Sequence, residues 1–279
     1  MHADGVVVLR GAIDEARCRA IRAACTRHLP TDRPARLTNA WWTEPTVRSV
    51  AVDPGVLDAI GFLYGRRAIP FQTLTFRCGT EQDEHPDSLH FDSLPPSFLC
   101  GAWVALEDVG ESQGPLRYRP GSHRPDWVAE GSREATFTGR CGDVLLWAAG
   151  VRHGGGPIED PASTRWSMVT HHLFEDCVWY TPLHSDVERG DLRLRDPLRN
   201  LDTGRREQPT LFGLPPRFTA RPRGRVALRH PDAPVHVERS APGVRVALAG
   251  HRVRAHLSSV VAPRLARLRR RPPGSTRRS

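Results

Sequence analysis

The sequence contains no lysine, and all 40 of its basic residues are arginine. Together with abundant Ala, Gly and Pro, this points to a GC-rich coding bias rather than a functional choice. There is no apolar run of 18 residues or more, so no membrane span is expected. The opening MHADGVVVLRG lacks a basic start followed by a long apolar stretch. No signal peptide is therefore expected, and the reading is a cytoplasmic protein. The six cysteines, Cys18, Cys25, Cys78, Cys100, Cys141 and Cys177, form no C-x-x-C pair. Their spacings suggest neither a zinc site nor a disulfide framework, which leaves small buried thiols in a reducing compartment.

What is present is a net charge of +9, unevenly spread. Residues 221–279 hold 15 Arg against Asp232 and Glu238. The first 220 residues carry 25 Arg and 29 acids, a net of −4. The basicity belongs to the tail, so the high isoelectric point says little about the main domain. Apolar residues make up 39% of the chain, enough for a real core.

Gly5–Gly11 reads as a short strand, and Asp14-Glu15 open a helical pattern that runs to about Leu29. A proline-containing loop follows, and Asp53-Pro54 start a second helix over Gly55–Tyr64. The period then changes. Phe71–Arg77, Leu99–Leu106, Pro115–Tyr118, Asp143–Trp147 and Trp166–Leu173 read as strands, separated by Gly/Pro-rich turns. Short strands with such turns indicate a barrel or a two-sheet jelly roll. The expected fold is mainly β with flanking helices. A helical N-terminal part covers about 1–68 and a jelly-roll core about 69–180, within a domain of 1–220. Residues 221–279 are an Arg/Pro-rich extension, expected to be partly disordered.

Thirteen histidines make any single one uninformative. His90-Phe91-Asp92 places an imidazole and a carboxylate at i and i+2, which leave an extended strand from the same face. His153 follows just past the Asp143–Trp147 strand. Two histidines and one carboxylate on one face of an iron leave three open positions, as oxygen chemistry requires. His85-Pro86-Asp87 has the same spacing, but a proline between the ligands makes a poorer strand, and EQDEHPD reads as a solvated loop. The His90 pair is therefore preferred, with a hydrogen-bonded pair at a strand end as its ordinary alternative. His171 and His172 can face inward from their strand and His123 sits in a turn. Each reads singly as a packed or surface residue. Arg165 and Ser167 alternate on one strand and suit the distal carboxylate of a keto diacid. Gln72 and Arg77, on the strand before the metal motif, are candidates for its inner carboxylate.

The run Ser88–Arg124 resembles the phytanoyl-CoA dioxygenase family, as does Gly142–His172. The shared elements are His90-x-Asp92, the strand from Trp103, Gly114-Pro115-Leu116 leading into Pro120-Gly121-Ser122-His123, and Gly142-Asp143 ahead of His153 and Arg165. The resemblance covers roughly residues 5–180. It implies a double-stranded β-helix, Fe(II) at His90, Asp92 and His153, and 2-oxoglutarate held through Arg165. Ser167, Gln72 and Arg77 match cofactor-contact positions, although the family often has lysine where Arg77 stands.

The expected activity is oxidation by dioxygen of an aliphatic C–H in a small molecule, most simply hydroxylation. Desaturation and ring closure use the same oxidant. The resemblance is nearest to members that act on specialised metabolites or glycans. No phosphate-gripping glycine loop favours a CoA ester. Trp103, Phe98, Trp147 and Leu94 are candidates for the pocket mouth, with core packing as the alternative. Two other readings stand beside this one. One is a cupin-like metalloprotein with non-oxidative activity. The other is a nucleic-acid or membrane-surface binder acting through the tail; the tail is read instead as a solvated extension, so neither partner is expected. The sequence does not specify an oligomeric state.

Overall fold

The computed structural model describes residues 1–29, 35–160, 162–185, 191–195, 199–207 and 210, with short strands at 217–220, 226–229, 239–240 and 243–245. The N-terminal strand β1 (Val6–Leu9) leads into α1 (Glu15–Thr26). Asp14 caps this helix by accepting the Arg17 N–H at 2.9 Å. The stretch read as a loop contains β2 (Arg36–Thr38) and α2 (Pro45–Ala51). At seven residues, α2 is too short to show a full apolar period, yet it buries Val47, Val50 and Ala51 on one face. Helix α3 (Pro54–Tyr64) starts at the Asp53-Pro54 pair and ends at Gly65, whose φ of +64° suits glycine.

The expected strands are present as β3 (Ala68–Phe76), β5 (Leu99–Ala105), β6 (Leu116–Tyr118), β8 (Val144–Ala148) and β10 (Ser167–Phe174). Short strands β4 (Asp92–Leu94), β7 (Ala135–Phe137), β9 (His153–Gly155) and β11 (Val178–Tyr180) complete the set that concerns the site. The main sheet has the order β1-β8-β5-β10-β3-β2, antiparallel throughout. Against it lie β7-β6-β9 and β11-β4. This is a double-stranded β-helix.

Strands β5, β8 and β10 are buried at every residue, because both faces of the sheet are covered. That explains their nearly continuous apolar sequences. The outer face packs on α1–α3 through Ile21, Val47, Ile60, Val104, Leu146 and Met168. The inner face, with Phe76, Trp103, Leu145, Trp147 and Val169, meets Leu116 and Phe137 of the small sheet. The Gly142-Asp143 element ties β8 to the N-terminus: the Asp143 carboxylate accepts from Arg10 at 2.6 Å and from the Gly11 N–H at 2.8 Å. A Cβ at Gly142 would fall 1.9 Å from the Ile13 carbonyl oxygen, so no larger residue fits that approach.

The expected extension over 221–279 lies largely outside the described residues. Within them, Arg217–Ala220 pairs antiparallel with Val226–Arg229. Among the described residues, no helix is long and apolar enough to cross a membrane.

Candidate metal centre and co-substrate pocket

A cavity of about 410 Å³ opens between the two sheets. Its floor holds His85, Asp87 and His153, whose ligand atoms all lie within 4.8 Å of one another. His85 and His153 sit opposite each other in an antiparallel bridge. The His85 N–H donates to the His153 carbonyl at 2.9 Å, and the reverse bond is 3.0 Å. Such a pair directs both side chains to one face. The glycines after His153 allow this approach: a Cβ at Gly154 would lie 2.5 Å from the Gln82 carbonyl oxygen, and one at Gly155 would lie 2.7 Å from the Glu81 nitrogen. Glu84 anchors the segment through Arg152 at 2.6 Å and Arg119 at 2.7 Å. Burial would raise the Glu84 pKa, but these two arginines hold it below the usual carboxylate range.

The two imidazoles have defined tautomers. His153 Nδ1 faces the Val151 carbonyl at 2.9 Å, and His85 Nδ1 faces the Asp83 carbonyl at 2.7 Å. A carbonyl only accepts, so Nδ1 carries the proton and Nε2 keeps its lone pair for a ligand. Burial lowers the His153 pKa, against the raising effect of Asp87, and so favours the neutral ring. Asp87 is 5% exposed. Its Oδ2 accepts the Trp147 indole N–H at 2.7 Å and lies 3.4 Å from His171 Nε2. Its Oδ1 lies 3.7 Å from His153 Nε2. Burial pushes the Asp87 pKa up, yet His171, His153 and the indole together outweigh it and keep the carboxylate ionised.

The geometry groups His153 with a different His-x-Asp pair from the one the sequence favours. His153 is in the triad, but His90 and Asp92 are not. His90 ends a 3-10 turn over Asp87–Leu89 with helical φ −99° and ψ −32°, so the extended i, i+2 geometry is lost there. Its ring faces the cavity wall instead. The Asp92 carboxylate accepts from the backbone N–H groups of Ser93 and Ser97 and from the Tyr180 hydroxyl. Pro86, by contrast, has φ −95° and ψ 143°. That is the extended geometry a His-x-Asp pair needs, and the pyrrolidine ring disfavours the helical alternative at the residue before it.

Arg165 lies on the cavity wall, 3% exposed. One Nη donates to the Gly114 carbonyl at 3.1 Å, the guanidinium stands 5.6 Å from the Trp103 ring, and Nε has no partner. Burial lowers its pKa to about 10, so it remains a cation at neutral pH. Among the described residues no carboxylate pairs with it. Ser167, two residues along the same face, is fully buried with an unpartnered Oγ. Gln72 also lines the cavity, across the strand from His171. Arg77 does not. Gln72, Leu74 and Phe76 face inward, so Arg77 has the opposite parity and its guanidinium lies 5.8 Å from the outward Trp166 ring. Trp103 and Trp147 line the cavity as expected, whereas Phe98 and Leu94 are absent from its walls. His171 and Trp147 as partners of Asp87 were not foreseen, because only the folded sheet brings β8 and β10 to residue 87.

Two neutral-nitrogen ligands and one carboxylate on one side of a cavity suit a ferrous ion with open positions. The buried, unpaired Arg165 suits a dicarboxylate beside it. The fold is shared with solved structures. The non-haem α-ketoglutarate-dependent epimerase SnoN from nogalamycin biosynthesis matches at 21% identity, covering 71% of this chain and 90% of that one, with a TM-score of 0.59. The carbocyclase SnoK from the same biosynthesis matches at 19% identity, covering 64% and 83%, with a TM-score of 0.56. HygX from Streptomyces hygroscopicus, with nickel and 2-oxoglutarate bound, matches at 16% identity, covering 62% and 83%, with a TM-score of 0.52. Among curated proteins no relative matches by sequence. The sequence model of the phytanoyl-CoA dioxygenase family matches residues 1–167, more than half of the chain. With the His-Asp-His triad in place, the chain belongs to that family of 2-oxoglutarate-dependent iron oxygenases.

Proposed function

We propose that the chain oxidises an aliphatic C–H bond of a small molecule, most simply by hydroxylation, with iron held by His85 Nε2, Asp87 Oδ1 and His153 Nε2. The observation that carries this is the convergence of those three groups beside a buried arginine that has no anionic partner among the described residues. Bound there, Fe(II) with 2-oxoglutarate and dioxygen supplies an oxidant able to remove hydrogen from an unactivated carbon.

The protein's own part follows from its contacts. Trp147 donates to Asp87 Oδ2 and His171 Nε2 lies beside it, which would leave Oδ1 available to hold the ion. Arg165 takes the distal carboxylate of 2-oxoglutarate with charge-assisted hydrogen bonds, and Ser167 Oγ adds a further donor. Gln72 lines the same cavity. Phe76, Trp103, Leu116 and Val169 form an apolar wall that keeps water from the reacting carbon. A carboxylate at position 87 fills the place a halide ligand would need, which favours oxygen insertion over halogenation.

Epimerisation or ring closure is the second reading. It is supported by the names of two fold neighbours, SnoN and SnoK, and begins with the same hydrogen removal. Anaerobic addition of Fe(II) and 2-oxoglutarate should give a weak visible charge-transfer band with the wild type and none with Asp87→Ala. A colourless wild-type mixture would count against the oxygenase reading.

A further inference from the structure

A second, more open cavity of about 500 Å³ adjoins the first. The two share Thr181, His184 and Arg195 on their walls. We propose that this outer cavity is an oxyanion receptor, so that the substrate is a small molecule bearing a phosphate, sulfate or carboxylate group away from the carbon that is oxidised. The proposal rests on the oxidative reading above in taking the occupant to be substrate.

Charge is the first argument. Among the described residues, the walls of the two cavities carry five arginines, at 36, 165, 193, 195 and 199, and one carboxylate, Asp87. That carboxylate is spoken for by the metal. Residues 1–220 as a whole are net negative, so arginine is concentrated here against the trend of the domain. Such a cavity draws anions and repels cations.

Fixed geometry is the second. Arg193 and Arg195 flank Leu194 on an extended segment held to the end of β11. The Thr181 N–H donates to the Arg193 carbonyl at 2.9 Å, and the Arg195 N–H donates to the Trp179 carbonyl at 3.0 Å. Arg193, Leu194 and Arg195 all line the groove. The Arg195 guanidinium stands 4.4 Å from the Phe91 ring centroid. Arg199 lies 4.6 Å over Trp42, which is itself stacked on Trp41 at 4.3 Å, and its Nε donates to the Gly204 carbonyl at 2.9 Å. Arg199, braced on an aromatic face, keeps its charge and can present its remaining N–H groups outward. The guanidinium groups of Arg36 and Arg193 have no hydrogen bond or ion pair with any described residue. Conformational freedom already lost by the braced groups is not lost again on binding.

The test uses the full chain with Fe(II) and one equivalent of 2-oxoglutarate under anaerobic conditions, titrated by calorimetry with phenyl phosphate, phenylacetate, benzyl alcohol and phenethylammonium. One or both anions should bind, with affinity at least fivefold weaker when NaCl is raised from 50 to 300 mM. Arg193→Ala with Arg199→Ala should weaken binding at least tenfold. The two anions separate a phosphate from a carboxylate preference. The proposal is overturned if the neutral or cationic compound binds as tightly, if neither anion binds, or if the double variant binds unchanged. The charge-transfer band is read in the same samples. A band without anion binding sinks this proposal alone. Anion binding without a band leaves the receptor standing and sinks the oxidative reading.

Discussion

His85 and His153 exchange backbone hydrogen bonds across an antiparallel bridge, and this pairing, more than any local motif, brings the proposed metal ligands together. Local sequence cannot display a bridge between residues so far apart. It shows only candidates for either side.

The ligand set is directly separable by mutation. His85→Ala, Asp87→Ala and His153→Ala should each lower Fe(II) affinity by at least a hundredfold in an equilibrium titration. His90→Ala and Asp92→Asn should keep it within about tenfold, the lower end of what loss of an outer-sphere contact costs. Loss of iron in Asp92→Asn equal to that in Asp87→Ala would restore the original pair.

Arg165→Ala should raise the 2-oxoglutarate requirement about tenfold to a hundredfold, as expected for one buried charge-assisted interaction. Iron affinity measured without co-substrate should change far less. Equal losses would make Arg165 a packing residue that happens to be charged.

Trp147→Phe removes the indole N–H from Asp87 Oδ2 while keeping most of the buried ring. Iron affinity should fall about tenfold to a hundredfold, the usual cost of losing a partner behind a ligand. His171→Leu should add to this effect when combined with it. An unchanged iron isotherm in the double variant would show that Asp87 needs no support.

His172 faces away from the cavity, fully buried, with Nδ1 donating to the Cys100 carbonyl at 3.3 Å. Burial lowers its pKa from the ordinary 6.5 to about 3. The unfolded chain therefore takes up a proton below about pH 6.5 that the native state refuses, and stability falls from there down to about pH 3. Urea unfolding at pH 7.5 and 5.5 should show this group contributing about 1 kcal/mol of the loss. His172→Leu should shrink the pH-dependent difference by that amount. Identical differences in both proteins would mean that His172 titrates normally.

Much of the architecture was legible because the buried strands have nearly unbroken apolar sequences and the helices begin at Asp-capped turns. The spacing around a strand singled out His153 and Arg165, and both line the cavity. A rule of thumb about proline set aside His85-x-Asp87, the pair that the fold groups with His153. Pro86 spoils ladder pairing, but at a lone bridge next to a turn no ladder is needed, and its extended ψ of 143° is what aligns His85 with Asp87. Arg77 failed on parity, since it stands an odd number of residues from Gln72. The arginines at 193, 195 and 199 lie in a stretch without regular period, so nothing local indicated that they converge.

The metal triad and Arg165 all fall within the segment matched by the family model, which ends at residue 167. Thr181, His184, Arg193, Leu194, Arg195 and Arg199 on the outer walls come after it. With substrate held in the outer cavity as proposed, reactivity and selectivity would be written on consecutive stretches of the chain. Exchange of the later stretch between relatives would be a route to retargeting the enzyme without rebuilding its iron centre.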